Sequence, residues 1–270
     1  MVQGLAPMAV LMRMSAVFVS ICGLAACQPE LTVGERSNCP ADSAEPPPPA
    51  MTDPIAMPWS TGFEDEFCGY TNVTGFCYIN AQASYDIVAT PVHTGRYAAA
   101  FSVDTSNDKP NQTRCVRQGI LPKSAVYGAW YFVPELADTN GKTWNLFHFQ
   151  GGDVPAPRLD TMWDVGFIND DNGDLELVVF DGDSKMYRAD DGIPVPIGQW
   201  FHIEMLLKRA TDASGEVALY QDGTQLIDIT GMPTDDDPAF TQWYVGSWSD
   251  GLTPPTSTLY VDDVSIRAER

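Results

Sequence analysis

Residues 200–229 read WFHIEMLLKRATDASGEVALYQDGTQLIDI. Phe201, Ile203, Met205 and Leu207 alternate with Trp200, His202, Glu204, Leu206 and Lys208, a period of two that predicts a strand with one buried face. The loop RATDASGE turns the chain at small polar residues and Gly215. Glu216–Gln221 is the next strand, Asp222-Gly223 makes a tight hairpin, and Gln225–Ile229 returns. A meander of this kind cannot bury its apolar side alone, so a second sheet has to cover it. Its other side carries His202 and Glu204, where recognition or chemistry can sit.

The same pattern recurs outward from this meander. Short strands are predicted at Thr61–Phe67, YDIVAT, YAAAF, TRCVRQGIL, AVYGAWYFV, WNLFHFQ, MWDVGFIN, LELVVF, Gln242–Trp248 and Thr258–Ile266. Asn, Asp, Gly and Pro punctuate them, and no amphipathic helix interrupts. About a dozen strands at this spacing predict an all-β jelly-roll sandwich of two antiparallel sheets, one curved to leave a concave face.

The N-terminal part is not domain material. Arg13 precedes MSAVFVSICGLAA, an apolar run too short to span a bilayer as a stable helix. It ends at Leu24-Ala25-Ala26-Cys27, which resembles a bacterial lipobox. That likeness implies a signal peptide over 1–26, lipidation of Cys27 and, from Gln28, an outer-membrane address with the lipid as the membrane contact. Residues 27–58, with Pro46 to Pro49, read as an extended tether. Residues 59–270 remain for one sandwich-sized domain, expected as a monomer.

The formal charge of −21, from 36 acidic and 15 basic residues, disfavours nucleic acid and anionic membranes and favours divalent cations. An exported chain permits disulfides. Cys77 with Cys115 is the favoured pair, since both lie in strand-like sequence; Cys39 is left for Cys68.

Three segments, GFEDEF, PVHTGRYAAAF and LYVDDVSI, resemble the concanavalin A-like lectin and glucanase superfamily. PIGQWFHIEMLLKRATDASGEVALYQDG is similar to the central hairpin of heparin-lyase-I-like bacterial polysaccharide lyases. The resemblance implies the sandwich fold, which hosts lectins, hydrolases, lyases and bare binding modules alike. It also implies a Gln-aromatic-His-Gly segment and a late Gly-x-Tyr segment. Here they read His148-Phe149-Gln150-Gly151, with His and Gln exchanged, and Gly246-Ser247-Trp248, with Trp in place of Tyr. His148 is the catalytic candidate, and Tyr131 or Tyr244 its proton-moving partner. The superfamily's structural calcium would fall on Glu64 with Asp262 or Asp263, since Ca²⁺ takes several oxygen ligands.

Flat aromatics mixed with hydrogen-bonding groups suit sugars, so Trp144, His148, Gln150, Asp164, Trp200, His202 and Glu204 are read as one glycan-binding face. Arg114 or Arg117 would supply a cation for a uronate carboxylate, with Arg117 carried as the candidate. Glu204 has no carboxylate partner two residues away, which disfavours hydrolysis by paired acids. The Asp-rich stretches near 170–174, 181–183 and 235–237 read as turn chemistry. The reading that results is a surface lipoprotein whose domain binds a polysaccharide, as a binding module or degenerate lyase. An active lyase acting on a polyuronate and a structural envelope protein are the alternatives.

Overall fold

The structure, a computed structural model, describes residues 32–33, 53–71, 74–107, 109–152, 160–182 and 185–269. Cys27, Cys39 and most of the expected signal peptide and tether lie outside them. The strands are β1 (Thr32–Val33), β2 (Trp59–Thr61), β3 (Gly75–Asn80), β4 (Ala83–Val88), β5 (Ala98–Asp104), β6 (Asn111–Gly119), β7 (Ser124–Phe132), β8 (Trp144–Gly152), β9 (Asp160–Asn169) and β10 (Leu175–Asp181). They continue with β11 (Met186–Arg188), β12 (Trp200–Lys208), β13 (Gly215–Gln221), β14 (Thr224–Met232), β15 (Phe240–Ser249) and β16 (Thr256–Arg267); one helical turn, α1, covers Cys68–Thr71.

These strands form two antiparallel sheets packed as a jelly-roll sandwich. The first has the order β1-β3-β6-β15-β8-β9-β10-β11 and the second β14-β13-β12-β7-β16-β5-β4, with β2 on β16. The deciding strand behaves as its alternation predicts: Phe201, Ile203, Met205 and Leu207 are fully buried, while Trp200, His202 and Glu204 are half-buried on the outer side. Facing them across the core, the first sheet sends in Phe147, Phe149, Trp163, Val165 and Trp243. Apolar side chains entering from both sheets are what makes the two layers one domain.

β2 lies along β16, where Val264 pairs Thr61 and Ile266 pairs Trp59. The expected strand over Thr61–Phe67 stops at Thr61, because Phe63 (φ 59°) and Glu66 (φ 55°) turn left-handed, a conformation a strand cannot hold. Residues before Trp59 pack on the sandwich as well: Ile55 is buried and its N–H donates to the Ile120 carbonyl at 2.9 Å. Cys77 and Cys115 are bonded across β3 and β6 at a Cα separation of 4.0 Å, directly opposite in register. Cys68 is disulfide-bonded as well.

Candidate functional site

The outer face of the first sheet is built by register. Tyr244 on β15 sits directly opposite His148 on β8 and opposite Val116 on β6. His148 pairs Asp164 on β9, and Asp164 pairs Phe180 on β10. Every second residue faces out, so Arg114 and Val116, Gln242 and Tyr244, and His148 and Gln150 share this side.

Two hydrogen-bonded sets meet there. Asp164 Oδ1 lies 2.5 Å from His148 Nδ1 and accepts from Asn145 Nδ2 at 2.7 Å. Asn145 Oδ1 in turn accepts from Arg114 Nη2 at 2.5 Å. Burial alone would raise the Asp164 carboxyl, but the neighbouring His148, Arg114 and Asn145 outweigh it and hold the pKa below the usual value. The second set surrounds Tyr244, whose hydroxyl lies 2.8 Å from Gln150 Oε1 and also touches Gln242 Oε1. One phenolic hydrogen cannot serve both, so one glutamine presents its amide N–H₂ instead. Burial pushes the Tyr244 phenol above its ordinary pKa. The two sets touch: the His148 and Tyr244 rings meet edge to face at 5.1 Å, and the Arg114 guanidinium lies 5.8 Å from the Tyr244 ring centre. Beside them, Asn145, Asp164, Phe180 and Trp248 border a pocket of ≈290 Å³.

Gly246 makes this convergence possible. Arg114 (β6) and Asn145 (β8) are separated by β15, and the residue of β15 opposite Arg114 is Gly246. A Cβ there would stand 2.4 Å from the Thr113 carbonyl oxygen and 2.8 Å from Arg114 Cα, at φ +148°. Gly246→Ala should therefore cost about 1–3 kcal/mol and displace Arg114. Thermal denaturation measures the first effect and polymer affinity the second; unchanged values in both would refute the crossing.

The expected single face is divided between the two sheets. His148, Gln150 and Asp164 lie together on the first. Trp200, His202 and Glu204 lie on the outer side of β12 in the second, where Trp130 stacks on His93 at 3.7 Å and on His202 at 4.9 Å. Arg267 is hydrogen-bonded to Glu204 there. Trp144 was expected beside His148 and is buried instead, its Nε1 donating to Ser247 Oγ at 2.8 Å. The cause is a bulge: Asn145 and Phe147 oppose consecutive β9 residues, so Leu146 is an extra residue and the alternation reverses there. Arg117 also points inward, over the Trp59 ring at 4.8 Å, with Nη1 on the Thr74 carbonyl. Arg114 and Arg117 are three residues apart, and an odd spacing puts them on opposite faces. Tyr131 is fully buried, its hydroxyl reaching the Leu146 carbonyl at 3.3 Å. Tyr244 is thus the tyrosine next to His148.

Burial depresses the His202 pKa, although the Glu204 charge opposes the shift. A depressed histidine pKa adds stability above its unfolded value of about 6.5 and loses it as pH falls below that. Melting temperature should therefore drop from pH ~7 to ~5 and less so in His202→Gln; equal slopes in both proteins would refute it.

The residues expected to hold calcium are engaged by the chain. Glu64 Oε1 accepts from the N–H groups of Arg96 (2.7 Å) and Tyr97 (3.0 Å). Asp262 Oδ2 accepts from those of His93 (3.0 Å) and Thr94 (3.2 Å), and Asp263 lies 2.7 Å from His93 Nδ1. Among the described residues no group of three or more His, Cys, Asp or Glu is placed to hold a metal ion. These hydrogen bonds fasten the 93–97 turn to the segment after β2 and to β16.

Comparison with known proteins agrees with the fold. A Trichoderma reesei endo-β-1,4-glucuronan lyase superposes with a TM-score of 0.58 at 15% identity, over 71% of this chain and 90% of that one. The cellulose-induced protein Cip1 gives 0.55 at 13% identity, over 78% and 97%. A marine PL-14 alginate lyase from Aplysia kurodai gives 0.50 at 10% identity, over 78% and 98%. The comparison with curated protein sequences finds no match. The sequence profile of the polysaccharide lyase family matches residues 58–265, the whole span that carries both sheets from β2 nearly to the end of β16. By that match the chain belongs to the polysaccharide lyase family.

Proposed function

We propose that the chain is an active lyase that cleaves a uronate-containing polysaccharide by β-elimination on the outer face of the first sheet. The observation that carries this is the cross-strand pair His148–Tyr244, with the Arg114 guanidinium beside it. Elimination needs a base for the C5 proton, a cation for the adjacent carboxylate and an acid for the leaving oxygen. Asp164 occupies His148 Nδ1, which orients the ring and leaves Nε2 as the base. Arg114 meets the substrate carboxylate as negative charge develops on it. The C4–O4 bond then breaks, its electron pair leaves with O4, and the Tyr244 hydroxyl supplies the proton. A phenol pushed upward in pKa stays protonated at neutral pH, as an acid requires. The products are a chain with a C4=C5 double bond and a chain with a new reducing end.

The superposed lyases are named for glucuronan and alginate, so both polymers are the first substrates to try. Growth of the ultraviolet absorbance of the conjugated double bond is the test. Retardation in a glycan affinity gel without that absorbance would favour the second reading, a binding module. What favours that reading is the engagement of the Tyr244 hydroxyl by two glutamines.

Two further proposals come from sequence. Lipidation of Cys27 would hold the domain at the cell envelope; Cys27→Ser should then move the protein from the membrane to the soluble fraction, and an unmoved protein would count against it. A structural calcium at Glu64, Asp262 and Asp263 would use carboxylate lone pairs left beside the chain's own donors. A fall in melting temperature with chelator would support it, and an unchanged value would refute it.

A further inference from the structure

We infer that the uronate cleaved here is an isolated charge in its polymer. The substrate is a heteropolysaccharide in which one uronate is flanked by neutral sugars, not an unbroken run of uronates. This rests on the lyase reading above and narrows its substrate class.

The face runs across six neighbouring strands, β3-β6-β15-β8-β9-β10. Five spacings of about 4.8 Å make it about 24 Å wide. His148 and Tyr244 stand on its two central strands, so a polymer laid across the strands extends over both flanks.

Neither flank is built for anions. On one side, β3 presents Phe76 and Tyr78, with rings 5.7 Å apart, and β6 presents Gln112, Val116 and Gln118. Tyr78 donates to Gln112 at 3.0 Å. On the other side stand Gly166 and Ile168 of β9 and Val178 and Phe180 of β10, in register with one another and with Asp164 and Glu176.

Among the described residues of these strands and β11, two cations face this side: Arg114 and Arg188. Arg188 is paired with the buried Glu176 carboxylate. Arg114 donates to Asn145 and also engages the Tyr78 hydroxyl, both neutral groups, and its Nε is buried without a partner.

A polymer charged at every sugar would therefore match one carboxylate to Arg114. It would lay the others over apolar, amide or acidic groups on a chain of net charge −21. Surfaces that capture polyanions instead align several cations to focus the field. The partly exposed Phe76 and Phe180 side chains suit the C–H faces of uncharged sugars.

The test compares glucuronan, the same polymer with its carboxyls progressively reduced to neutral glucose units, and deacylated gellan, whose repeat carries one glucuronate among neutral sugars. Double-bond absorbance is followed with each. The expected result is that kcat/KM per remaining uronate rises about tenfold or more as charge density falls, and that added salt narrows the difference. Ile168→Lys, at a partly exposed position of the same flank, should speed cleavage of unreduced glucuronan more than that of gellan. Fastest cleavage of the unreduced polymer at every salt concentration would overturn this inference and leave the lyase reading standing. No absorbance from any of the three would overturn both.

Discussion

His148→Ala should lower kcat on a cleaved uronate polymer by about 10²- to 10⁴-fold, the usual contribution of one positioned acid or base. Its melting temperature should fall as well, because Asp164 loses the imidazole that offsets the burial of its carboxylate; the rate loss is therefore read on protein shown to be folded. Tyr244→Phe should lower kcat by a similar order while keeping the ring that packs on Tyr78 and His148. If the two act in one proton-transfer sequence, the double variant loses little beyond either single change. Initial rates from double-bond absorbance, read beside circular dichroism, check this. A His148→Ala protein that keeps more than about a tenth of the parent rate would remove the imidazole from the chemistry.

Asp235→Ala should have the largest effect on stability, about 3–5 kcal/mol. Arg209 Nε lies 2.7 Å from Asp235 Oδ2, with side-chain exposures of 1% and 0%. Arg209 Nη1 also donates to the Leu121 carbonyl at 2.5 Å, so the guanidinium is committed to the interior. Removing the carboxylate leaves a buried cation without its counter-charge, which costs more than the pair contributes. Replacing both partners with apolar residues of similar volume, Arg209→Met with Asp235→Leu, should recover much of the loss. Urea denaturation measures all three proteins. A single variant within about 1 kcal/mol of the parent would mean that water reaches the guanidinium.

The Asp235 prediction also shows a limit of reading by composition. In sequence, Asp235-Asp236-Asp237 reads as a solvated turn, and for Asp237 it is one: its carboxylate meets Lys123 at an exposed bridge. Asp235 belongs to the same run and is buried against Arg209. Nothing in the local pattern separates the two, because the difference is made by a side chain 26 positions away.

The strands themselves were legible. Phe201, Ile203, Met205 and Leu207 enter the core as their period of two requires, and the Cys77–Cys115 bond follows from placing both residues in strands. Errors came where the period breaks. Leu146 adds one residue to β8 and turns Trp144 inward. The odd spacing of Arg114 and Arg117 meant that one of them had to face out, but alternation alone could not say which. The face that groups His148, Gln150 and Asp164 with His202 and Glu204 failed for another reason: alternation tells inside from outside, but not which of two sheets a strand joins.

By itself, the sequence determined that the domain is a β-sandwich, that its interior is aliphatic and aromatic, and that its net charge is strongly negative, because these depend on neighbours along the chain and on sums over it. Only the tertiary structure decided that Tyr244 stands opposite His148, that Arg114 crosses Gly246 to reach Asn145, and that Trp200 and His202 lie on the far sheet. Those relations are set by strand order and register between segments as far apart as Arg114 and Gly246, 132 positions, and a period of two carries no information about either.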